Sequence, residues 1–172
     1  MQELEKQLNN DNNIEVRRRA VEQMRGRRDA QCIPLLIKAM TDVSWRVRKS
    51  AVDILFEEYE LAQYIKGMIE LLYIEENAGA RNSAIEALIK LGRKATPFLI
   101  EGFKTSNRDV RKFIIDVLGE QMDTRSLPLM LEALKDEDEE EREPDPARST
   151  HGTPNREVSV GLEGAYPGLG LR

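Results

Sequence analysis

The chain of 172 residues is poor in the side chains that most often carry chemistry, with one cysteine, one histidine and one tryptophan. One cysteine excludes an intramolecular disulfide, and Cys32 together with His151 cannot supply the ligands of a zinc site. Neither a glycine-rich phosphate loop nor a nucleophile elbow is present. We therefore expect no catalytic residue, no metal ligand and no cofactor, and we interpret Cys32 as a buried, inert thiol.

Aromatic residues make up 5% of the chain, and long apolar runs are missing. A core of Leu, Ile, Val, Ala and Met suits packed helices better than a sheet rich in aromatic side chains. No run approaches the roughly 18 residues of a membrane span, and residues 1–6 do not begin a secretory signal. These absences predict a cytoplasmic protein with no membrane partner.

A strong excess of basic charge is also missing. Residues 1–135 contain 22 Lys and Arg against 21 Asp and Glu, whereas residues 136–172 contain 4 against 10. The acidic balance of the chain therefore belongs to its last part. A nearly neutral folded region argues against nucleic acid as a partner.

What the chain does contain is a repeat. Four arginines recur at intervals of 31, 33 and 30 residues, and a good helix-capping residue stands four positions before each. Apolar residues fall at offsets −1, +3, +4 and +7 from each arginine, which is the spacing of one helical face. A period of about 30 residues predicts a solenoid of stacked units. The pairs are Asn13 with Arg17, Ser44 with Arg48, Asn77 with Arg81, and Asn107 with Arg111.

A first helix is predicted before each of these second helices. Pro34, Pro97 and Pro128 each lie 14 residues before an arginine and open an apolar run, and Lys66 takes the matching place in the third unit. The first unit has only a short segment for this helix and is expected to be a terminal cap. The predicted units are residues 1–26, 32–59, 64–92 and 96–121, with an extra helix at 127–135.

A proline-initiated helix, a short link with Asp and a second helix with Val-Arg-x-x-Ala together resemble the HEAT-like repeat family. The similarity is greatest to its short bacterial form, which is related to the HEAT-like repeats of bilin lyases. The resemblance implies an all-α fold, a right-handed α-α superhelix or HEAT-like α-solenoid of about four two-helix repeats over residues 1–135.

The resemblance also implies a structural role for the four arginines. In HEAT-like stacks these side chains pair with acidic residues of the inter-helix links and form a ladder inside the solenoid. Asp11 and Asp42 are the expected acceptors in the first two units, Glu75 or Glu76 in the third, and Asp109 in the fourth. The ladder would thus contain Arg17, Arg48, Arg81, Arg111, Asp11 and Asp42.

The sequence favours a non-catalytic scaffold or adaptor that binds a protein partner on a concave face lined by the second helices. Positions +1, +2 and +5 after each arginine are free for contact there, and their signs alternate as suits a protein interface. Neither the identity of the partner nor the oligomeric state follows from the sequence. The candidate partner-binding residues are Arg18, Arg19, Glu22, Lys49, Asp53, Asn82, Glu86, Lys112, Phe113 and Asp116.

Two alternatives stay open. One is nucleic-acid binding, as in the HEAT-like DNA glycosylases, which would need aromatic residues to stack bases. The only tryptophan, Trp45, aligns with Ile14 and Ala78 of other units, so we expect it to pack between units. The second is a bilin lyase-like enzyme or its chaperone subunit, for which no chromophore site is visible. An iron-holding HEAT-like hydroxylase would need several histidines.

The repeat pattern ends in the fifth copy. Asp138 and Arg142 continue the register, but Pro144 and Pro146 fall where the helix interior should be. Residues 136–172 are therefore expected to be a disordered, acidic tail rich in proline and glycine. Two origins stay open: a natural acidic linker or interaction segment, and a frame-shifted or truncated fifth repeat.

Overall fold

A computed structural model describes residues 1–10 and 12–142, with side chains described as far as residue 134. This part of the chain contains nine α-helices and three single 3-10 turns, at Leu71–Tyr73, Gly92–Lys94 and Thr124–Ser126, and no strand. Residues 1–136 form one compact unit. The helices are α1 (Gln2–Leu8), α2 (Ile14–Glu22), α3 (Cys32–Ala39), α4 (Trp45–Glu58), α5 (Leu61–Glu70), α6 (Ala78–Leu91), α7 (Thr96–Gly102), α8 (Arg108–Gln121) and α9 (Leu127–Arg142).

The second helices α2, α4, α6 and α8 each begin one residue after the predicted cap. Three of the four caps are asparagines whose side-chain oxygens accept first-turn amides, for example Asn77 from Ala80 at 2.9 Å and Asn107 from Val110 at 3.0 Å. Ser44 holds the same place without a capping bond from its side chain. Its own amide instead donates to the Asp42 carboxylate at 2.7 Å, so the link is held by an aspartate.

The first helices begin near their prolines, with one exception. Pro34, Pro97 and Pro128 lie within the first turns of α3, α7 and α9. In the third unit α5 begins at Leu61, before the predicted start at residue 64. The reason is local: the Gln63 side chain accepts the Glu60 amide at 3.0 Å, and this capping box starts the helix early.

The helices form two rows. Each second helix contacts the next one along the chain, and α3, α5 and α7 contact one another in the same order. The buried apolar residues lie between the rows, and in α4 the predicted stripe supplies Val47, Ala51 and Leu55, all fully buried. Units that bury their apolar faces only against their neighbours define an α-solenoid. The predicted all-α solenoid is thereby confirmed.

Two sequence expectations are corrected here. Trp45 does not pack between units; it is 61% exposed, because the first position of a second helix points away from the row behind it. The extra helix does not end at residue 135 but continues to Arg142. Asp138 therefore lies inside α9 rather than before a new helix, since the acidic run offers no residue that breaks a helix. Cys32 is fully buried, as expected. The rest of the predicted tail, residues 143–172 with His151, lies outside the described residues.

Candidate functional site

The four repeated arginines lie between the links and the second helices, and they share one contact. Each guanidinium donates to a backbone carbonyl of the link before its own helix. The distances from Nη1 are 2.8 Å for Arg17 to Asn10, 2.9 Å for Arg48 to Asp42, 2.8 Å for Arg81 to Ile74 and 3.0 Å for Arg111 to Thr105. These bonds satisfy carbonyls of the links, which take no part in the hydrogen bonds within the helices.

Only one of the four arginines forms an ion pair with a described carboxylate. Arg17 donates from Nε and Nη2 to the Asp42 carboxylate at 2.6 and 3.2 Å, and both side chains are less than a tenth exposed. The acceptor thus comes from the link of the following unit. Arg48, for which Asp42 was the expected acceptor, instead donates from Nε to the Ser83 hydroxyl at 2.8 Å. The expected acceptor Asp11 lies outside the described residues.

Arg48 also borders a groove between α4 and α6, which we call the α4–α6 groove. Its volume is about 520 Å³. Gly79 allows the close approach of Arg48, because a Cβ there would lie 3.3 Å from the guanidinium carbon. The groove is lined by Trp45, Arg48, Lys49, Val52, Asp53, Gly79, Asn82, Ser83, Glu86, Ala87 and Lys90.

Four of the predicted partner-binding residues meet in this groove, namely Lys49 and Asp53 from α4 and Asn82 and Glu86 from α6. They converge because neighbouring second helices run side by side in the same register. The lysine is not free: its ammonium contacts the Asp53 carboxylate at 2.6 Å. Glu86 is exposed and is found in no ion pair with a described residue.

Two further residues shape the ends of the groove, and sequence reasoning missed both. Trp45 lies exposed at one end, with the Arg46 guanidinium 5.8 Å from its ring centroid. Lys90 lies at the other end, 5.5 Å above the Phe56 ring. The one signal in the sequence for a binding role of Trp45 was a tryptophan among the polar residues that begin a second helix. Its alignment with Ile14 and Ala78 indicated packing between units instead.

The remaining candidates lie on the outer second helices and are partly engaged. Arg18 contacts Glu15 at 3.0 Å and holds the pKa of that carboxyl below its usual value. Phe113 is half-buried and packs against the core beneath the Arg81 guanidinium, at 5.0 Å. It is therefore a core contact and not a free surface residue. Of the other candidates on these helices, Glu22 contacts Arg25 at 3.0 Å, and Arg19, Lys112 and Asp116 are exposed.

Among the described residues no three His, Cys, Asp or Glu side chains are placed to hold a metal ion. Nor is any helix in this part of the chain both long enough and apolar enough to cross a membrane. The tyrosine next to Cys32 has a perturbed acidity, because burial raises the pKa of Tyr59 to about 12. Its hydroxyl donates to the Asp29 carbonyl at 3.1 Å, which is a structural role.

Comparison with known proteins agrees with this architecture. The family profile described as HEAT repeats matches residues 1–89 and, in a second overlapping match, residues 65–144. No curated protein matches the chain at a significant level. HEAT repeats are commonly protein-interaction scaffolds and are typically not enzymes. By its repeats, its two rows of helices and this match, the chain belongs to the HEAT repeat family.

Proposed function

We propose that this protein is a non-catalytic interaction scaffold that binds a protein partner along the α4–α6 groove. The observation that carries the proposal is the convergence of Trp45, Lys49, Asp53, Asn82 and Glu86 in one open groove. Tryptophan and arginine are enriched among the residues that dominate protein interfaces. Trp45 with Arg46 would be the anchor, and the mixed charges along the groove would set the register of the partner.

The charges of the groove support a protein partner over a nucleic acid. The groove is lined by Lys49 and Lys90 but also by Asp53 and Glu86, and these carboxylates would oppose a phosphate backbone. One exposed tryptophan is also too little for a platform that stacks successive bases. The partner surface is expected to combine an apolar side chain for Trp45 with a basic residue for Glu86.

The test is affinity capture on the tagged full chain, followed by titration of the captured protein. The double variant Trp45→Ala/Glu86→Lys is expected to weaken binding about tenfold or more, because it removes the anchor and reverses one wall charge. Both positions are exposed, so the melting temperature is expected to stay within about 2 °C of the wild type.

The matched control is Lys66→Glu, which changes an exposed charge on α5 in the other row of helices. This variant is expected to bind like the wild type. Unchanged capture by the groove variant, or equal loss by both variants, would reject the groove. Tight binding of a short DNA duplex at low salt that the groove variant abolishes would replace the protein partner with a nucleic acid.

A further inference from the structure

The last helix, α9, exposes a stripe of three leucines whose counterparts in the earlier first helices are buried or half-buried. Leu127, Leu131 and Leu134 are 52, 62 and 58% exposed. Their spacing of four and three residues places them on one face of the helix. The opposite side of α9 packs on the solenoid through Leu129 and Ala133, which lie against the core.

The repeat makes the comparison direct, because each leucine has a counterpart at the same position in three earlier units. The residue directly before the helix-opening proline, or before Lys66, is buried in all three units. The residue six positions after that proline or lysine is buried as well. The buried counterparts of Leu127 are Ile33 at 8%, Ile65 at 0% and Thr96 at 0%, and those of Leu134 are Met40 at 0%, Leu72 at 2% and Phe103 at 7%.

The cover in the earlier units comes from two neighbours. The helices α3 and α5 each contact the second helix of their own unit and the first helix of the next, and α7 contacts α8 of its own unit. The counterparts of Leu131 are Ile69, which is 9% exposed, and Ile37 and Ile100, which are half-buried. Ile69 lies against α7, where a Cβ on Gly102 would be 3.4 Å from it. No described element takes either place beside α9. Among the described residues, the leucine face is therefore a core-like surface of the solenoid that nothing covers.

We propose that a second copy of this chain covers the leucine face, with two α9 helices packed antiparallel around Leu131. The stripe is nearly symmetric about this residue, with one leucine four positions before it and one three positions after it. A two-fold pairing therefore matches the stripe to itself, as an isologous interface requires. This inference is independent of the proposed groove.

Charge along α9 supports the antiparallel arrangement. Positions 136–141 of the helix are all acidic in the sequence. In a pair centred on Leu131, these positions of one copy pass the beginning of α9 in the other. Arg125 stands there, 54% exposed but already paired with Asp123, and the Arg93 guanidinium donates to the Met122 carbonyl of the same segment at 3.4 Å. The positive end of the helix dipole lies beside these cations. A parallel pair would instead bring the two acidic runs together.

The other end of the solenoid does not compete for this face. The apolar residues of α1 point inward, with Leu4 at 3% and Leu8 at 8% exposed. Its outward residues in the described chain are polar, as in a capping unit. Head-to-tail stacking of copies would therefore set leucines against charged side chains, so the structure favours a closed dimer over a filament.

Sedimentation velocity on the full chain tests the proposal. The wild type is expected to change from monomer to dimer with rising concentration in the micromolar range, and more readily at low salt. Leu131→Glu is expected to weaken the dimer about 100-fold, because it buries a charge at the centre of the pairing. Val43→Glu is the control, since Val43 is 85% exposed elsewhere on the protein. It is expected to dimerise like the wild type.

A second variant reports the geometry. In Leu131→Cys two introduced thiols would meet on the two-fold axis, and mild oxidation is expected to yield a covalent dimer. Val43→Cys should give none, and the native Cys32 is fully buried. A wild type that stays monomeric at all concentrations would overturn the proposal, and so would a Leu131→Cys protein that does not cross-link. Either result would indicate that residues 143–172 or another protein, and not a second copy, cover the leucine face of α9.

Discussion

At the scale of single residues, the repeated arginine is a brace for the backbone rather than a uniform ionic ladder. All four side chains bind carbonyls of the preceding link, whereas among the described carboxylates only that of Asp42 pairs with one of them. The guanidinium suits this task because its several donors spread in a plane can hold two groups at once. The repeat thus conserves a bond to the main chain and varies the second partner.

The arginines are therefore expected to differ in their contribution to stability. Arg17→Gln removes a buried pair and leaves the Asp42 carboxylate unpaired, so the free energy of unfolding is expected to fall by about 3 kcal/mol. Arg111→Gln loses a half-buried bond to one carbonyl and is expected to cost about 1 kcal/mol. Urea denaturation followed by circular dichroism gives both values. Equal losses of unfolding free energy in the two variants would show that the ion pair with Asp42 adds no stability beyond the bond to the link carbonyl.

Asp123 gives a second expectation at this scale. Its carboxylate accepts two bonds from Arg125 Nε at 3.0 and 3.1 Å, and this guanidinium holds the pKa of Asp123 well below its usual value. A lowered pKa stabilises the fold above the ordinary value of 3.8, and this contribution is lost as the pH falls below it. Asp123→Asn is therefore expected to be less stable than the wild type at neutral pH.

The check is urea denaturation of both proteins at several pH values. The gap between their unfolding free energies should narrow steadily as the pH falls below about 4. A gap that keeps its neutral-pH size under acidic conditions would mean that the carboxylate charge plays no part.

At the scale of helices, the element ends are set by a few polar side chains. The second helices begin where the caps predict, and α5 begins early because Glu60 and Gln63 form a capping box. Asn77 does more than cap its helix, since its amide nitrogen also donates to the Thr41 carbonyl of the preceding unit at 2.8 Å. One residue thus fixes a helix end and the stacking of two units.

This dual role predicts unequal caps. Asn77→Ala is expected to lower the free energy of unfolding by about 2 kcal/mol, because it removes a cap and a bond between units. Ser44 occupies the equivalent position but forms no capping bond from its side chain. Ser44→Ala is therefore expected to lower the free energy of unfolding by only about a few tenths of a kcal/mol. Thermal and urea denaturation compare the two variants directly. A Ser44 variant as unstable as the Asn77 variant would contradict this account.

At the scale of the whole molecule, the fold is a row of units held by nearest-neighbour contacts. The same rows that bury the core also bring exposed positions of α4 and α6 into one groove, and none of the described elements covers the leucine face of α9. Stability in such an array depends on position, because an end unit has one neighbour and an inner unit has two.

A core truncation at the end should therefore act locally. Leu4→Ala is expected to raise amide hydrogen exchange in α1 and α2 and leave α5 to α8 protected as in the wild type. Met68→Ala, at a fully buried site of the third unit, is expected to raise exchange across α3 to α8. Mass spectrometry of the exchanged peptides provides the comparison. Uniform loss of protection in the Leu4 variant would indicate a single cooperative unit instead.

Local chemistry in the sequence sets the repeat period, the starting residues of the second helices and the membership in an all-α solenoid family. These follow from local chemistry, since a capping side chain or an apolar stripe acts within a few residues of itself. The packing of the units sets three features that the sequence alone does not: Asp42 pairs with Arg17, Trp45 faces solvent at the end of a groove, and Leu131 is 62% exposed. Each of these depends on how one unit rests on the next, and equal positions in a repeat can meet different neighbours.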